Sequence, residues 1–397
     1  MVVALNHALQ PELSAEDVAR QRFVSGLRGF VLSDLAGDLR RAYDARVAPR
    51  FQGVHGRLPA DGDEVHQALR TDPTFKAYSS LRVTAQKMVW DSVTPVVARQ
   101  RAALETAAVA GADRLKLDST VKVPRSVSAI DVHFMPGSYS GEGAAEEMAP
   151  GAIYDQGFAV FSMGLMGDNF NDIGRSMARY ISRKFPDFHP QRILDLGCTI
   201  GHNTLPWKEA YPDAAVTGID VAAGCLRYGA ARAASQGVAV QFTQMNAEQL
   251  DLPDHSVDLV FSSMFLHELS LKSIARVFAE IRRVLRPGGL MLHMELPPNT
   301  QMGAFEGFYL DWDCYYNVEP FYKAFRDQEP RELCRKAGFA PQHYLQFVVP
   351  SICSYGESAV DAAVAAEERE VNKETTGRLS HGGIEWFGFG AWQDAAQ

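Results

Sequence analysis

The stretch over residues 192–204, RILDLGCTIGHNT, constrains the fold more than any other part of the chain. An apolar run that carries an acid, Asp195, breaks at Gly197 and again at Gly201, and a helix-compatible segment follows. This order is typical of a buried parallel strand that turns sharply into a helix, with glycines where the backbone comes close to a ligand. The next apolar run ends in a second acid, Asp220. Because an acid at the end of the second strand suits the two hydroxyls of a ribose, we expect a ligand that contains a nucleoside.

From about residue 153 onward, apolar strand patterns alternate with helical stretches, which predicts a doubly wound α/β sheet. The predicted strands lie near residues 192–196, 215–220, 239–243, 257–262, 289–295, 343–349 and 384–392. The last strand has no helix after it, so we expect it to pair antiparallel and close the sheet edge. The fold class predicted for residues 151–397 is therefore a Rossmann-like sheet of seven strands with an antiparallel last strand. A dehydrogenase would instead continue into a catalytic domain after its nucleotide half.

Residues 1–150 are predicted to form a mostly helical N-terminal domain and a linker. Apolar residues recur at helical spacing over residues 15–47, and Ser14 with Asp17 makes an N-cap for that helix. We expect a break over residues 49–63. The domain is expected to cover a substrate or to form a dimer, and a purely stabilising role is the alternative.

A second helical region is predicted over residues 74–110, kinked or divided at Pro95, and antiparallel to the first. A strand is expected at residues 120–123, and a loop rich in glycine and alanine over residues 137–151. The boundary between the two domains is placed in this loop.

The composition excludes several classes of protein. A length of 397 residues favours two domains, and a net charge of −9 argues against a dedicated nucleic-acid binder. No apolar run is long enough for a membrane span, and the first residues lack a secretory signal, so a cytoplasmic protein is expected. The five scattered cysteines suggest reduced thiols and no metal site. His133 could begin a metal site, but a surface turn is favoured because no partner stands at ligand spacing.

Four segments in a fixed order carry a resemblance to a known family. They are LDLGCTIG at residues 194–201, GIDVA at 218–222, MNAEQLDLP at 245–253 continuing through SVDLVFSSMFLHEL at 256–269, and EIRRVLRPGGL at 280–290. The chain over about residues 150–392 resembles the class I S-adenosylmethionine-dependent methyltransferases, in the broad group acting on quinones and small natural products. Residues 1–150 show no resemblance that we identify.

The resemblance implies a set of cofactor-binding residues. Asp195, Gly197 and Gly201 would shape the pocket for the methionine part, and Asp220 would hold the ribose. Four further positions complete the set around the adenine and the strand end: Val221, Asn246, Ala247 and Ser262.

This chain departs from the family pattern at two positions. Thr199 stands where the family usually has glycine, and it requires a backbone angle that a non-glycine residue can adopt, which would reshape the turn. Asn246 stands where the family often has an acid, and its amide can still bond an adenine edge. We interpret both as variants within an active family, with loss of the cofactor site as the alternative.

The chemistry of methyl transfer singles out two candidate catalytic residues. A protonated nucleophile, such as a phenol, an alcohol or an acidic carbon, needs a base. His267 follows the fourth predicted strand of the methyltransferase sheet, where open α/β sheets place their ligand crevice, and imidazole titrates near neutral pH. Glu295, at the end of the fifth, is the second candidate acid or base. The alternative for His267 is that it caps or packs a loop.

The insertion over residues 296–328 is dense in aromatic side chains. We expect it to form a lid over an apolar or aromatic substrate, with Tyr309, Trp312 and Tyr315 as substrate contacts and Tyr154 closing the methionine end. The alternative is a helical cap whose aromatic rings simply pack on the sheet.

Together these features predict methyl transfer from S-adenosylmethionine to oxygen or carbon of a small molecule, of the kind found in secondary metabolism. The expected partner is that substrate, and a helical N-terminus is compatible with a homodimer. Three alternatives stay open: a protein or peptide methyltransferase, an enzyme that uses the cofactor without methylating, and a non-catalytic scaffold with the same fold.

Overall fold

The protein is described by a computed structural model. The structure describes residues 7–107, 110–141, 147–366, 370–380 and 382–394. Residues 108–109 of the second predicted helix and residues 142–146 of the predicted loop lie outside this part of the chain.

The first helical arm is longer than predicted and runs without a break to His55. It consists of α1 (Ala15–Phe30), a π-helical turn (Val31–Leu35), α2 (Ala36–Ala42), a second π-helical turn (Tyr43–Val47) and α3 (Ala48–His55). The capping box between Ser14 and Asp17 is confirmed. The break expected over residues 49–63 is shorter than predicted, since α3 ends at a left-handed Gly56 and α4 begins at Gly62. Pro49 does not end the arm: it directly follows the second π-helical turn, where the Ala48 N–H bonds the Tyr43 carbonyl.

The second arm consists of α4 (Gly62–Leu69), α5 (Pro73–Arg99) and α6 (Arg101–Ala107). Helix α5 continues through Pro95 and ends at Arg99, so the division expected at the proline is displaced to Gln100. The two arms are antiparallel as predicted, since Asp17 pairs with Arg99 at one end and Arg46 with Asp72 at the other. No helix within the described residues combines the length and apolar character that crossing a membrane requires.

Within the described residues, eight strands form a mixed sheet in the order β1-β4-β3-β2-β5-β6-β8-β7. The strands are β1 (Leu115–Lys116), β2 (Arg192–Leu196), β3 (Ala215–Asp220), β4 (Gln241–Gln244), β5 (Val257–Ser263), β6 (Leu285–Glu295), β7 (Tyr344–Pro350) and β8 (Glu385–Trp392). All seven predicted strands are present, and the last one, β8, is antiparallel to both of its neighbours.

The eighth strand, β1, was not predicted. It pairs in parallel with β4, whereas the strand expected at residues 120–123 is irregular. The reason is local: the Asp118 carboxylate accepts hydrogen bonds from the backbone N–H and the hydroxyl of Thr120, a turn that competes with strand pairing.

Helices cover the sheet on both faces. In chain order they are α7 (Arg125–Ser128), α8 (Ala149–Phe161), α9 (Asp172–Lys184), α10 (Leu205–Ala210), α11 (Ala223–Ser235), α12 (Leu271–Val284), α13 (Ala304–Tyr316), α14 (Tyr322–Arg326), α15 (Pro330–Lys336), α16 (Ile352–Tyr355) and α17 (Glu357–Val364). One apolar core, around Trp207 and Phe261, joins the sheet to α9, α10 and α11. The other, around Val260 and Phe278, joins the opposite face to α12. Alternate residues of β5 therefore feed opposite cores.

Helices α13 and α14 occupy the insertion after β6. Their aromatic side chains pack on the two N-terminal arms: Phe305 lies against Tyr43, Phe308 against Phe75, and the indole N–H of Trp312 donates to Ser79. The insertion is helical, but its rings do not pack chiefly on the sheet as the alternative supposed. The boundary expected near residue 150 coincides with the start of α8, which packs against both α5 and α11.

Candidate functional site

A cavity of about 320 Å³ lies at the carboxyl ends of the central strands, a volume in the range of small-molecule sites. It extends from the turns after β2 and β3 to side chains of α1, α5 and α13. The side chains that enclose it come from both halves of the chain: Arg28, Arg82 and Trp90 on the helical side, and Asp195, Asp220, His267 and Glu295 on the sheet side.

The turn after β2 holds its shape through packing. Gly197 adopts a φ of +67°, and a Cβ there would lie 2.3 Å from the ring of Phe265. Gly201 adopts a φ of +79°, and its Cβ would meet the ring of Phe242 at 2.7 Å. Both glycines are therefore required by conformation and by neighbouring aromatic rings, whether or not a ligand is bound. Gly201 does not line the cavity.

Thr199 stands in this turn with a φ of +50°, a left-handed backbone conformation that is strained for a β-branched residue. The Thr199 N–H donates to Asp220 at 3.0 Å, and this hydrogen bond helps to hold the strained angle.

Asp220 is clamped between two loops. One carboxylate oxygen accepts from the Thr199 N–H and the other from the Ala222 N–H at 2.9 Å. Each carboxylate oxygen has a second lone pair, so the group can still accept hydroxyl donors from the cavity. Burial raises the pKa of Asp220, more than its backbone hydrogen bonds lower it. Val221, the next residue, also lines the cavity.

Asp195 lies one strand away and also faces the cavity. Burial, together with the charge of Asp220, raises its pKa to about 7. The hydrogen bond from the Thr204 hydroxyl acts in the opposite direction. Two neighbouring buried carboxylates with raised pKa values favour a cationic ligand between them.

His267 and Glu295 form a buried pair. The imidazole Nδ1–H donates to Glu295 Oε2 at 2.7 Å, while Glu295 Oε1 accepts from the N–H groups of Phe265 and Leu266. Burial disfavours the imidazolium, but the charge and hydrogen bond of Glu295 prevail and raise the pKa of His267 to about 9. Among the described residues the Nε2 atom of His267 has no hydrogen-bond partner. Glu295 thus orients His267, and the imidazole is the group free to exchange a proton.

Four other predicted site residues lie off the cavity. Ser262 is fully buried and shares a hydrogen bond with His293 in the interior of the sheet. Asn246 turns its carbonyl oxygen to the Glu248 N–H, and neither Asn246 nor Ala247 lines the cavity. Tyr315 donates its hydroxyl to Asp63 on the outer side of the insertion and is likewise remote.

The predicted substrate contacts Tyr154, Tyr309 and Trp312 do line the cavity. The cavity wall also contains a polar cluster that we did not predict. In it, His133 lies 3.2 Å from Glu268 and 3.0 Å from Glu319. Burial opposes its protonation, but the two carboxylates raise the pKa of His133 well above its ordinary value. The partners that were lacking at ligand spacing thus come from distant loops.

The N-terminal contribution to the cavity was also missed. Arg28, Arg82 and Trp90 come from α1 and α5, where they follow the same helical periodicity as ordinary packing residues. Their sequence carries no signal that separates a lining side chain from a core one.

Residues 193–289 match a family model described as a methyltransferase domain. This part of the chain is a class I S-adenosylmethionine-dependent methyltransferase domain. Over 116 residues the chain is 34% identical to a demethylmenaquinone methyltransferase from Thermus thermophilus, covering 29% of this chain and 51% of the relative. Over 157 residues it is 30% identical to malonyl-[acyl-carrier protein] O-methyltransferase 1 from Coxiella burnetii, covering 39% of this chain and 51% of the relative.

The methyltransferase domain accounts for the sheet half of the cavity only. The chain spans about half the length of the relatives it matches. A solved S-adenosylmethionine-dependent methyltransferase from Aquifex aeolicus aligns over 56% of this chain and 93% of its own, at 16% identity and a TM-score of 0.36, too low for any argument. The helical half has to be interpreted from its own geometry.

Proposed function

We propose that the chain transfers a methyl group from S-adenosylmethionine to an oxygen or carbon of a small apolar or aromatic molecule. One observation carries the proposal. One cavity is lined by the carboxylates of Asp195 and Asp220, by the rings of Trp90, Tyr309 and Trp312, and by His267.

The donor set fits the cofactor. S-adenosylmethionine carries a sulfonium and an ammonium group, and the paired carboxylates of Asp195 and Asp220 offer the negative charge that such a ligand needs. Asp220 would hold the ribose hydroxyls through its free lone pairs, and Val221 would pack on the adenine. When bound, the cofactor supplies an electrophilic methyl group on a positively charged sulfur.

The residues of this chain would do the remaining work. The aromatic walls exclude water and orient the acceptor, which matters because displacement needs the reacting atoms about 3 Å apart and aligned. His267 Nε2 would accept the proton of the nucleophile, and Glu295 would keep the other ring nitrogen protonated and the ring oriented. With a pKa near 9 the imidazole is mostly protonated at neutral pH, so this role becomes stronger as the pH rises.

The named relatives act on a quinone precursor and on an acyl group held by a carrier protein. A cavity favours a small molecule, because a protein or peptide substrate would need an open groove. A cavity bounded by helices α1, α5 and α13 supports the small-molecule assignment over the protein-methyltransferase alternative.

The test combines binding with product analysis. Calorimetry should show saturable binding of S-adenosylmethionine and of S-adenosylhomocysteine to the full chain. Incubation with mixed small aromatic acceptors should then form S-adenosylhomocysteine together with a product that is heavier than the acceptor by the mass of one CH₂ group. Absence of cofactor binding by the folded chain would refute the proposal, and turnover without the mass increase would favour the non-methylating alternative.

A further inference from the structure

The helical end of the cavity contains a buried cation without a charged partner. Arg28 on α1 is 5% exposed and lines the cavity. Its Nε donates to the Phe161 carbonyl at 3.1 Å and its Nη1 to the Gln86 side-chain oxygen at 2.6 Å. Both acceptors are neutral. Among the described residues no carboxylate lies within ion-pair distance of Arg28, and its Nη2 atom has no hydrogen-bond partner.

The other basic groups of the cavity wall are all paired. Arg82 donates to Asp313 at 2.7 Å, and His202 lies 2.8 Å from Asp155. The His133 cluster and the His267–Glu295 pair were described above. Among the described basic side chains that line the cavity, Arg28 alone lacks a carboxylate partner.

The surroundings of Arg28 make this charge unfavourable when the cavity is empty. Burial and the neighbouring guanidinium of Arg82 lower the pKa of Arg28 to about 9, although Asp313 opposes the shift. The ring of Phe161 lies 4.0 Å from its guanidinium carbon, and this cation–π contact offsets only part of the cost of burial, since the ring carries no net charge. A buried charge is retained at low cost only when a counter-charge is supplied, here by something that enters the cavity.

We propose that Arg28 binds a carboxylate of the substrate, so that the acceptor is an apolar or aromatic carboxylic acid with its acid group at the helical end. This inference rests on the proposed function, because it assigns a substrate class to the same cavity. A single free guanidinium nitrogen on an apolar floor suits a monoanion, whereas a phosphate dianion would call for a second unpaired cation. The aromatic wall formed by Trp90 and Trp312 would hold the body of the molecule.

The experiment uses matched pairs of acid and neutral amide: trans-cinnamate with trans-cinnamamide, and 2-naphthoate with 2-naphthamide. Binding to the full chain, saturated with S-adenosylhomocysteine, is followed by calorimetry and by quenching of tryptophan fluorescence. A charge-assisted hydrogen bond predicts that at least one acid binds the wild type ~10-fold more tightly than its amide.

The variant Arg28→Met should reduce that preference to within ~2-fold, because the charge is lost while an unbranched apolar stem is kept. The control Arg20→Met, on the same helix but exposed and paired with Glu16, should leave the preference unchanged. Should Arg28→Met fail to fold, Arg28→Gln replaces it: this variant also removes the charge, so the preference for the acid should again fall to within ~2-fold.

Three results would overturn the assignment: equal affinity of acid and amide, no binding of either acid, or a preference that survives Arg28→Met in a folded chain. Failure of the proposed function has a different signature. In that case neither S-adenosylmethionine nor S-adenosylhomocysteine binds, while acids tested without the cofactor still bind more tightly than amides.

Discussion

Asp220 and Asp258 show one residue type in two different settings, on β3 and on β5, the strands that flank β2. Each carboxylate accepts two backbone N–H groups: Asp220 from Thr199 and Ala222, Asp258 from Gln191 and Arg192. Asp220 stands at the carboxyl end of β3 and lines the cavity, whereas Asp258 lies at the other end of the sheet. Comparing the two aspartates therefore tests whether a carboxylate at the cavity binds a ligand, with a carboxylate remote from the cavity as the reference.

Replacing Asp220 by Ala should weaken S-adenosylhomocysteine binding ~10- to 100-fold, since hydrogen bonds to a charged group are each worth roughly 1.5–3 kcal/mol. Asp258→Ala removes the same number of backbone hydrogen bonds and should change the affinity less than ~3-fold. Calorimetry on both folded variants measures this. Equal losses in the two variants would remove the assignment of Asp220.

His267 is the residue whose titration reports most directly on the chemistry. Its pKa should be near 9 by NMR of ring-labelled protein, because Glu295 stabilises the imidazolium in spite of burial. In Glu295→Gln the charge is removed and the pKa should fall, because burial still opposes the imidazolium and only the charges of Glu268 and Glu319 continue to favour it. An unchanged pKa in this variant would show that Glu295 does not control the protonation of His267.

With a substrate identified, His267→Ala should lower turnover ~100-fold, a usual contribution of general base catalysis. In the wild type kcat/KM should rise with pH up to about 9, since only the deprotonated imidazole accepts a proton. His255→Ala is a suitable control, because that ring bonds the Leu285 carbonyl outside the cavity. A loss of only two- to threefold would assign His267 to loop packing, the alternative recognised from the sequence.

At the scale of elements, helix α8 joins the two halves of the molecule. It packs against α5 on one side and α11 on the other, and close contact with α5 depends on Gly157. A Cβ at Gly157 would lie 2.2 Å from the ring of Trp90, which lines the cavity. The position of this tryptophan is therefore set by a glycine in the linking helix.

The variant Gly157→Ala should destabilise the chain by roughly 1–3 kcal/mol and displace Trp90, because a methyl group overfills a packed contact. Gly53→Ala in α3, where no atom lies within 4 Å of the added Cβ, should instead stabilise by ~0.4–1 kcal/mol. Denaturant unfolding and tryptophan emission measure the two effects. A stabilised Gly157→Ala would show that the contact between α5 and α8 can relax.

The insertion carries the other structural lesson at this scale. Its aromatic density led us to expect a lid, but the sequence could not say which rings face inward. Tyr309 and Trp312 line the cavity, whereas Tyr315 faces Asp63 on α4. On a helix this division depends on what packs against each side, and that partner is the N-terminal domain.

At the scale of the whole molecule, buried histidines make stability depend on pH in two directions. The pKa of His267 is raised to about 9, so its stabilising contribution is present below about 6.5 and is lost as the pH rises through 9. Burial lowers the pKa of His293 to about 3, so its contribution is present above about 6.5 and is lost as the pH falls towards 3.

The free energy of unfolding should therefore be greatest near pH 6 to 7, with losses towards both pH 4 and pH 9. In Glu295→Gln the alkaline loss should become smaller, since the pKa of His267 then exceeds its unfolded value by less. Urea unfolding at five pH values measures both limbs. A wild-type stability that keeps rising to pH 9 would contradict the imidazolium assigned to His267.

The sequence by itself determined the sheet and its ligand edge. The periodicity of apolar residues, the glycines in turns and the acids at strand ends are all local signals in the sequence. They were sufficient to predict seven strands, the antiparallel last strand and the positions of Asp195, Asp220 and His267. Two residues assigned to the cofactor site by family resemblance, Asn246 and Ser262, do not line the cavity.

Only the tertiary structure decided what the helical half does. Arg28, Trp90 and the partners of His133 reach the cavity because α1, α5 and the insertion pack together over distances that no local pattern encodes. Strand and turn formation depend on short-range backbone preferences. The placement of Arg28 beside the aromatic side chains of the cavity depends instead on how distant segments of the chain pack together. That is why the sequence predicted cavity residues at the carboxyl ends of the strands but not those on helices α1 and α5.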